Sequence, residues 1–119
     1  ALLSGDLGRY ARVLDGLRGE GEATTFVLWV LSGDVQALLR VHEGLDAGRP
    51  RDQLLRENRV WRPRDAVFKG ALRTIPRDRL RPALARCARI DRMIKGLETG
   101  EPWDAFLELG LELAHGTRQ

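Results

Sequence analysis

The run Phe26-Val27-Leu28-Trp29-Val30-Leu31 constrains this chain more than any other feature. An amphipathic helix shows an apolar residue to its neighbour only every third or fourth position, so an unbroken run of this kind exceeds one stripe. Val35, Leu38, Leu39 and Leu45 extend it at helical spacing, with no sustained alternation, and a helix over 22–45 is expected rather than a strand. Being apolar on all sides over two turns, this helix should be the central element, covered all round. Gly33 weakens it by about 1 kcal/mol relative to Ala. Ala47-Gly48 ahead of Pro50 supplies its end, with Gly as a left-handed cap. The run is far shorter than the roughly 20 apolar residues that a bilayer requires, so no membrane span is expected.

The same three- and four-residue periodicity fills the rest of the chain, and the fold class it predicts is all-α. Leu7, Tyr10, Ala11, Leu14 and Leu17 share one face of a first helix, with Ser4 or Asp6 as its N-cap and Gly19-Glu20-Gly21 as its stop. A short helix, 51–56, follows Pro50. Pro63 should push Arg62 out of helical conformation and open a helix over 64–74, leaving Val60 and Trp61 at a helix-to-helix corner. Pro76 and Asp78 announce a penultimate helix whose stripe is Leu80, Leu84, Cys87, Ile90, Ile94 and Leu97, ending at Gly96 or Gly100. Pro82 near its start predicts an irregular first turn or a mild kink. Pro102-Trp103 begins the last helix, with Trp103, Phe106, Leu107, Leu109, Leu111 and Leu113 as its apolar positions before a polar tail, 116–119. The expectation is one compact bundle of five principal helices and one short one, a single domain over 1–119, as suits a chain of 119 residues.

Catalytic signatures are scarce. No GxxxxGK[ST] phosphate loop occurs, so ATP binding is not expected. His42 and His115 stand far apart and begin no metal-binding pattern, and no metal or cofactor is expected. The carboxylates read as surface or capping residues, with no pair placed to split its pKa values. The single cysteine, Cys87, has no intrachain partner; it reads as a small core residue and points to a reducing, cytoplasmic setting. The opening Ala1-Leu2-Leu3, in mid-phrase, has the look of a fragment cut from a longer subunit, without a signal peptide.

The informative stretch is a basic corner. Between Arg49 and Arg64 stand six arginines (49, 51, 56, 59, 62 and 64) against two acids, Asp52 and Glu57, with Trp61 among them. Guanidinium groups that neutralise phosphates around a ring that stacks on an unpaired base would make a nucleic-acid contact. An aromatic plug at a helix junction, ringed by solvated arginines, fits the same residues. Asp91 and Lys95, at i and i+4 in the favourable order, are either a solvated ion pair or a contact to a neighbouring subunit.

The phrase Arg59-Val60-Trp61, between a short Pro-started helix and the next, resembles the Arg-Val-Trp signature in the C-terminal collar domain of the bacterial DNA polymerase III delta subunit. Leu17, Arg18, Glu20 and Gly21 resemble that family's Leu-Arg-x-Glu-Gly turn. Asp91 with Lys95, and Trp103 at the start of the last helix, are similar to markers of its closing helices. The resemblance implies a collar-type helical domain of the clamp loader, non-catalytic in itself, that assembles with gamma or tau and delta-prime during DNA replication. The sliding clamp would be gripped only by an AAA+-like N-terminal part outside these residues. The resemblance also implies that Trp61 faces primer-template DNA, with Arg59, Arg62 and Arg64 as supporting phosphate contacts, and that Asp91, Arg92 and Lys95 face a partner. Glu98 stands where some relatives carry a second aromatic, which would confine DNA contact to the Trp61 corner. The alternative expectation is an independent DNA-binding helical domain that uses the same corner.

Overall fold

The computed structural model describes residues 2–21, 23–60 and 62–115, and the side chains of all of these except 62, 63 and 115. Among the described residues there are six α-helices and no strand: α1 (Leu7–Gly19), α2 (Thr24–Asp46), α3 (Arg51–Glu57), α4 (Arg62–Thr74), α5 (Leu80–Ile94) and α6 (Pro102–His115). Five are principal and α3 is short, as the periodicity predicts. A 3-10 turn, Arg77–Arg79, leads into α5, so Pro82 falls in the first turn of that helix, where its missing N–H would have had no intrahelical acceptor.

The ends follow local chemistry. Asp6 caps α1 by accepting from the Arg9 N–H at 3.0 Å. Helices α2 and α5 close in the same left-handed motif. Gly48 (φ 83°) and Gly96 (φ 76°) let the next residue's N–H reach back, Arg49 to the Gly44 carbonyl at 3.0 Å and Leu97 to the Arg92 carbonyl at 2.8 Å. Helix α3 makes the identical turn with a non-glycine residue. Arg59 stands at φ 59°, and Val60 N–H reaches the Leu55 carbonyl at 2.9 Å.

The core is organised as a relay: α2 packs on α5, α5 on α6 and α6 on α1, while α3 and α4 lie against α2. Val35, Leu38 and Val41 of α2, Phe68 of α4, Leu80 and Ile90 of α5, and Phe106 and Leu109 of α6 are fully enclosed. Burying one such side chain contributes about 1.5–3 kcal/mol. Close approaches are set by glycine. A Cβ at Gly44 would stand 2.7 Å from Leu54 Cδ1, and one at Gly110 would stand 2.8 Å from Tyr10 Cδ2. With the ring seated there, Tyr10 donates its hydroxyl to the Phe106 carbonyl at 2.6 Å, and burial pushes its phenol well above the usual range. Arg86 of α5 bridges to Glu108 and Glu112 of α6, and its hydrogen bond holds the Glu112 carboxyl below the ordinary range.

Four expectations need correction. Helix α2 is not covered all round: Phe26, Trp29 and Val30 are exposed, because α1, the preceding helix, packs on α6 instead. Leu97 is 74% exposed rather than part of the α5 stripe, because the helix ends at Ile94 and Gly96 turns the chain away. Leu107 and Leu111 of α6 are exposed too, since only the Phe106, Leu109 and Leu113 side meets α5 and α1. Helix α4 begins at Arg62, before its proline, not at Arg64. The restriction a proline places on its predecessor is a bias that the first turn of a helix can absorb. By length and mean hydropathy α2 also reaches the range of a bilayer-crossing helix, which the short run did not suggest. Its buried C-terminal half and its charged Asp34, Arg40 and Glu43 mark it as the core helix of this bundle.

Candidate interaction groove

The exposed end of α2 borders a groove of about 990 Å³, walled by Trp29, Gly33 and Arg40 from α2, Arg64 from α4, and Leu84 and Asp91 from α5. Trp29 is 73% exposed and Phe26 is 55% exposed. Their rings stack on each other with centroids 6.4 Å apart and planes 29° from parallel. Two adjacent aromatic side chains on a core helix, left exposed among the described residues, form an apolar surface of the kind that marks association sites. Cys87 lies buried at the floor, and desolvation pushes its thiol up to about 11, so it stays protonated and unreactive at neutral pH.

The groove brings together residues that the sequence assigned to two separate roles. Arg64, a candidate phosphate ligand, donates through Nη1 and Nη2 to Asp34 Oδ1 and Oδ2 at 3.0 Å each, tying α4 to α2 across one wall. Asp91, a candidate partner contact, stands on the opposite wall and accepts from Lys95 Nζ at 2.9 Å. Arg92 points its Nε at Glu98 Oε2, 3.3 Å away, and Arg89 reaches the other oxygen of the same carboxylate at 3.4 Å. Glu98 thus pairs with two arginines of the penultimate helix, offsetting one of their two charges.

Charge at the basic corner is partly spent inside the chain. Arg49 pairs with Glu57, whose carboxyl is held below the usual range chiefly by that hydrogen bond, and Arg51 stands 3.9 Å from Asp52. Arg56 and Arg59 are exposed and hold no ion pair among the described residues. Trp61 and the side chain of Arg62 lie outside the described residues. Just beside the corner, Arg40 Nε donates to the neutral Asn58 Oδ1 at 2.7 Å, and among the described residues Arg40 makes no salt bridge.

No group of three or more His, Cys, Asp or Glu among the described residues is placed to hold a metal ion. What the groove offers is a binding surface with an aromatic end, an open middle at Gly33 and a cationic end at Arg40. Asp34 and Arg40 were not singled out from the sequence, and Phe26 and Trp29 were read there as core residues. The available signal was the seven-residue interval from Phe26 to Gly33 to Arg40, which places all three on one line of the helix. No family model, no curated protein and no solved structure matches the chain.

Proposed function

We propose that this chain is the helical collar module of a bacterial clamp-loader delta subunit, a non-catalytic part of the DNA polymerase III machinery. It packs against the corresponding domains of gamma or tau and delta-prime, and so supports loading of the sliding clamp on primer-template DNA. The observation that carries this reading is the uncovered Phe26–Trp29 pair on the helix that otherwise forms the core. A chain whose long core helix is left half bare is built to be completed by a neighbour, and aromatic side chains are enriched at such contacts. The Arg59-Val60-Trp61 phrase between α3 and α4 supports the family resemblance, as do Asp91 with Lys95 on α5 and Trp103 at the head of α6.

Reconstitution tests it. The full subunit is mixed with gamma or tau and delta-prime, and wild type is compared with Trp29→Ala and Trp61→Ala for pentamer assembly and primer-template binding. Trp29→Ala should weaken assembly, and Trp61→Ala should assemble normally and bind DNA less well. Failure of the wild type to enter the pentamer would overturn the assignment. One observation favours a second reading, an independent DNA-binding domain: Arg56 and Arg59 are exposed and make no salt bridge among the described residues. In that case affinity for DNA would persist without partners and fall steeply with added salt.

A further inference from the structure

We infer that Arg40 and Arg59, brought together by Asn58 at the junction of α2 and α3, form a bracket for the backbone phosphates of a nucleic acid. The inference rests on the reading that the basic corner meets DNA, and it names the side chains that hold the strand. Of these, Arg59 alone stands out in the sequence; Arg40 and Asn58 enter through the packing of α3 on α2.

The balance of charge along the two helices is the first support. Helix α2 has three carboxylates and α3 has two. Each stands with an arginine of its own: Asp34 with Arg64, Glu43 with Arg81, Asp46 with Arg77, Asp52 with Arg51 and Glu57 with Arg49. Arg40, Arg56 and Arg59 are exposed and left over, with no salt bridge among the described residues. The second support is geometry. Asn58 commits both ends of its amide: Nδ2 donates to the Leu54 carbonyl at 2.9 Å, and Oδ1 accepts from Arg40 Nε at 2.7 Å. A neutral acceptor fixes the guanidinium without cancelling its charge, and Arg40 Nη1 and Nη2 have no partner among the described residues. A planar fork of N–H donors suits phosphate oxygens. Arg59 follows Asn58 directly, so a second guanidinium starts from the same point. The third support is conformation. Arg59 stands at φ 59° where α2 and α5 use glycine, yet its side chain makes no hydrogen bond or ion pair among the described residues. A residue kept in a strained conformation without an internal use for its side chain points outward, to a ligand.

That ligand is a nucleic acid because charge recurs here without apolar surface. No large apolar side chain is exposed between 40 and 60 among the described residues, and a protein partner would want one as an anchor. A chain of phosphates needs only the cations.

Anisotropy of a fluorescently labelled primer-template DNA at stepped salt, read on the chain alone and within the reconstituted assembly, tests the bracket. Arg40→Gln and Arg59→Gly should each weaken binding about fivefold to tenfold at about 0.1 M salt and lower the salt slope by about one, as the loss of one phosphate contact does. Because Arg59→Gly also relaxes the turn, weaker binding by a chain that resists denaturant better than wild type cannot come from damage to the fold. Asn58→Ala should weaken wild-type binding and add nothing to Arg40→Gln, since Asn58 is a positioning residue that acts through Arg40. Arg77→Gln, which removes an arginine already paired with Asp46, should leave the salt slope unchanged. If the wild type binds in neither setting, the reading of the corner fails and the inference with it. If the wild type binds and either Arg40→Gln or Arg59→Gly keeps its affinity and slope, the inference alone is overturned. Displacement of the DNA by inorganic phosphate, or by polyglutamate at equal charge concentration and matched ionic strength, would assign the bracket to a free anion or an acidic protein and overturn it as well.

Discussion

From Val35 to Val41, the apolar side chains of α2 are buried against α3, α4 and α5, and three of them have no contact with solvent. From Thr25 to Val30 the same helix is at least as apolar, yet Phe26, Trp29 and Val30 face water. The two halves differ in neighbours, not in composition. Asp34 stands between them and, through Arg64, anchors α4 at the boundary. Hydrophobicity decides that a helix will be covered; topology decides which part the chain covers by itself.

The largest effect should come from breaking the enclosed half. Leu38→Ala should lower unfolding stability by about 2–5 kcal/mol, read from denaturant midpoints, because it leaves a cavity that the rigid surroundings fill only in part. Gly44→Ala comes next. Its methyl group would press on the buried Leu54, and the overpacking outweighs the gain in helix propensity, for a net loss of about 1–2 kcal/mol. A stability close to wild type would show that α3 slides freely on α2. Asp34→Asn, at the boundary, should cost about 1 kcal/mol, since a two-pronged pair whose carboxylate is mostly shielded is worth more than an ordinary surface pair. On the bare half, Trp29→Ser should change stability by no more than about 0.5 kcal/mol. A loss comparable to that of Leu38→Ala would erase the distinction between the halves.

Cys87, beneath the groove, adds a pH test. Its unfolded thiol ionises near the usual value of about 8.5, and its folded one at about 11. The folded state therefore holds its proton where the unfolded state releases it. The thiol's contribution is intact below the lower value and is lost progressively as pH rises to the upper one. Cys87→Ala should flatten the fall in stability across that window, measured by denaturant titration at stepped pH.

All six helices were legible in the sequence because periodicity and punctuation agreed: Gly48 and Gly96 at left-handed ends, Pro50 and Pro102 at starts, and helical spacing between them. What was not legible was which apolar residue meets a neighbour. Trp29 and Leu38 obey the same helical logic, and only the packing of α1 on α6, set by Tyr10 in the notch at Gly110, leaves the first of them uncovered. Leu97 looked like the next member of the α5 stripe until Gly96 ended the helix ahead of it. The site residues fared differently. Asp91 and Lys95 do pair at 2.9 Å, but the link between Arg64 and Asp34 joins positions 30 residues apart, a distance at which no local pattern speaks.

The turn after α3 has one more implication. Where α2 and α5 use glycine, this turn holds Arg59 in a conformation that costs an L-residue about 1 kcal/mol. Arg59→Gly is thus a substitution by which the domain would become more stable. A population of variants selected for heat resistance alone should drift toward glycine here. One selected for whatever the guanidinium touches should keep arginine, so the composition of this single site would report which pressure the protein has lived under.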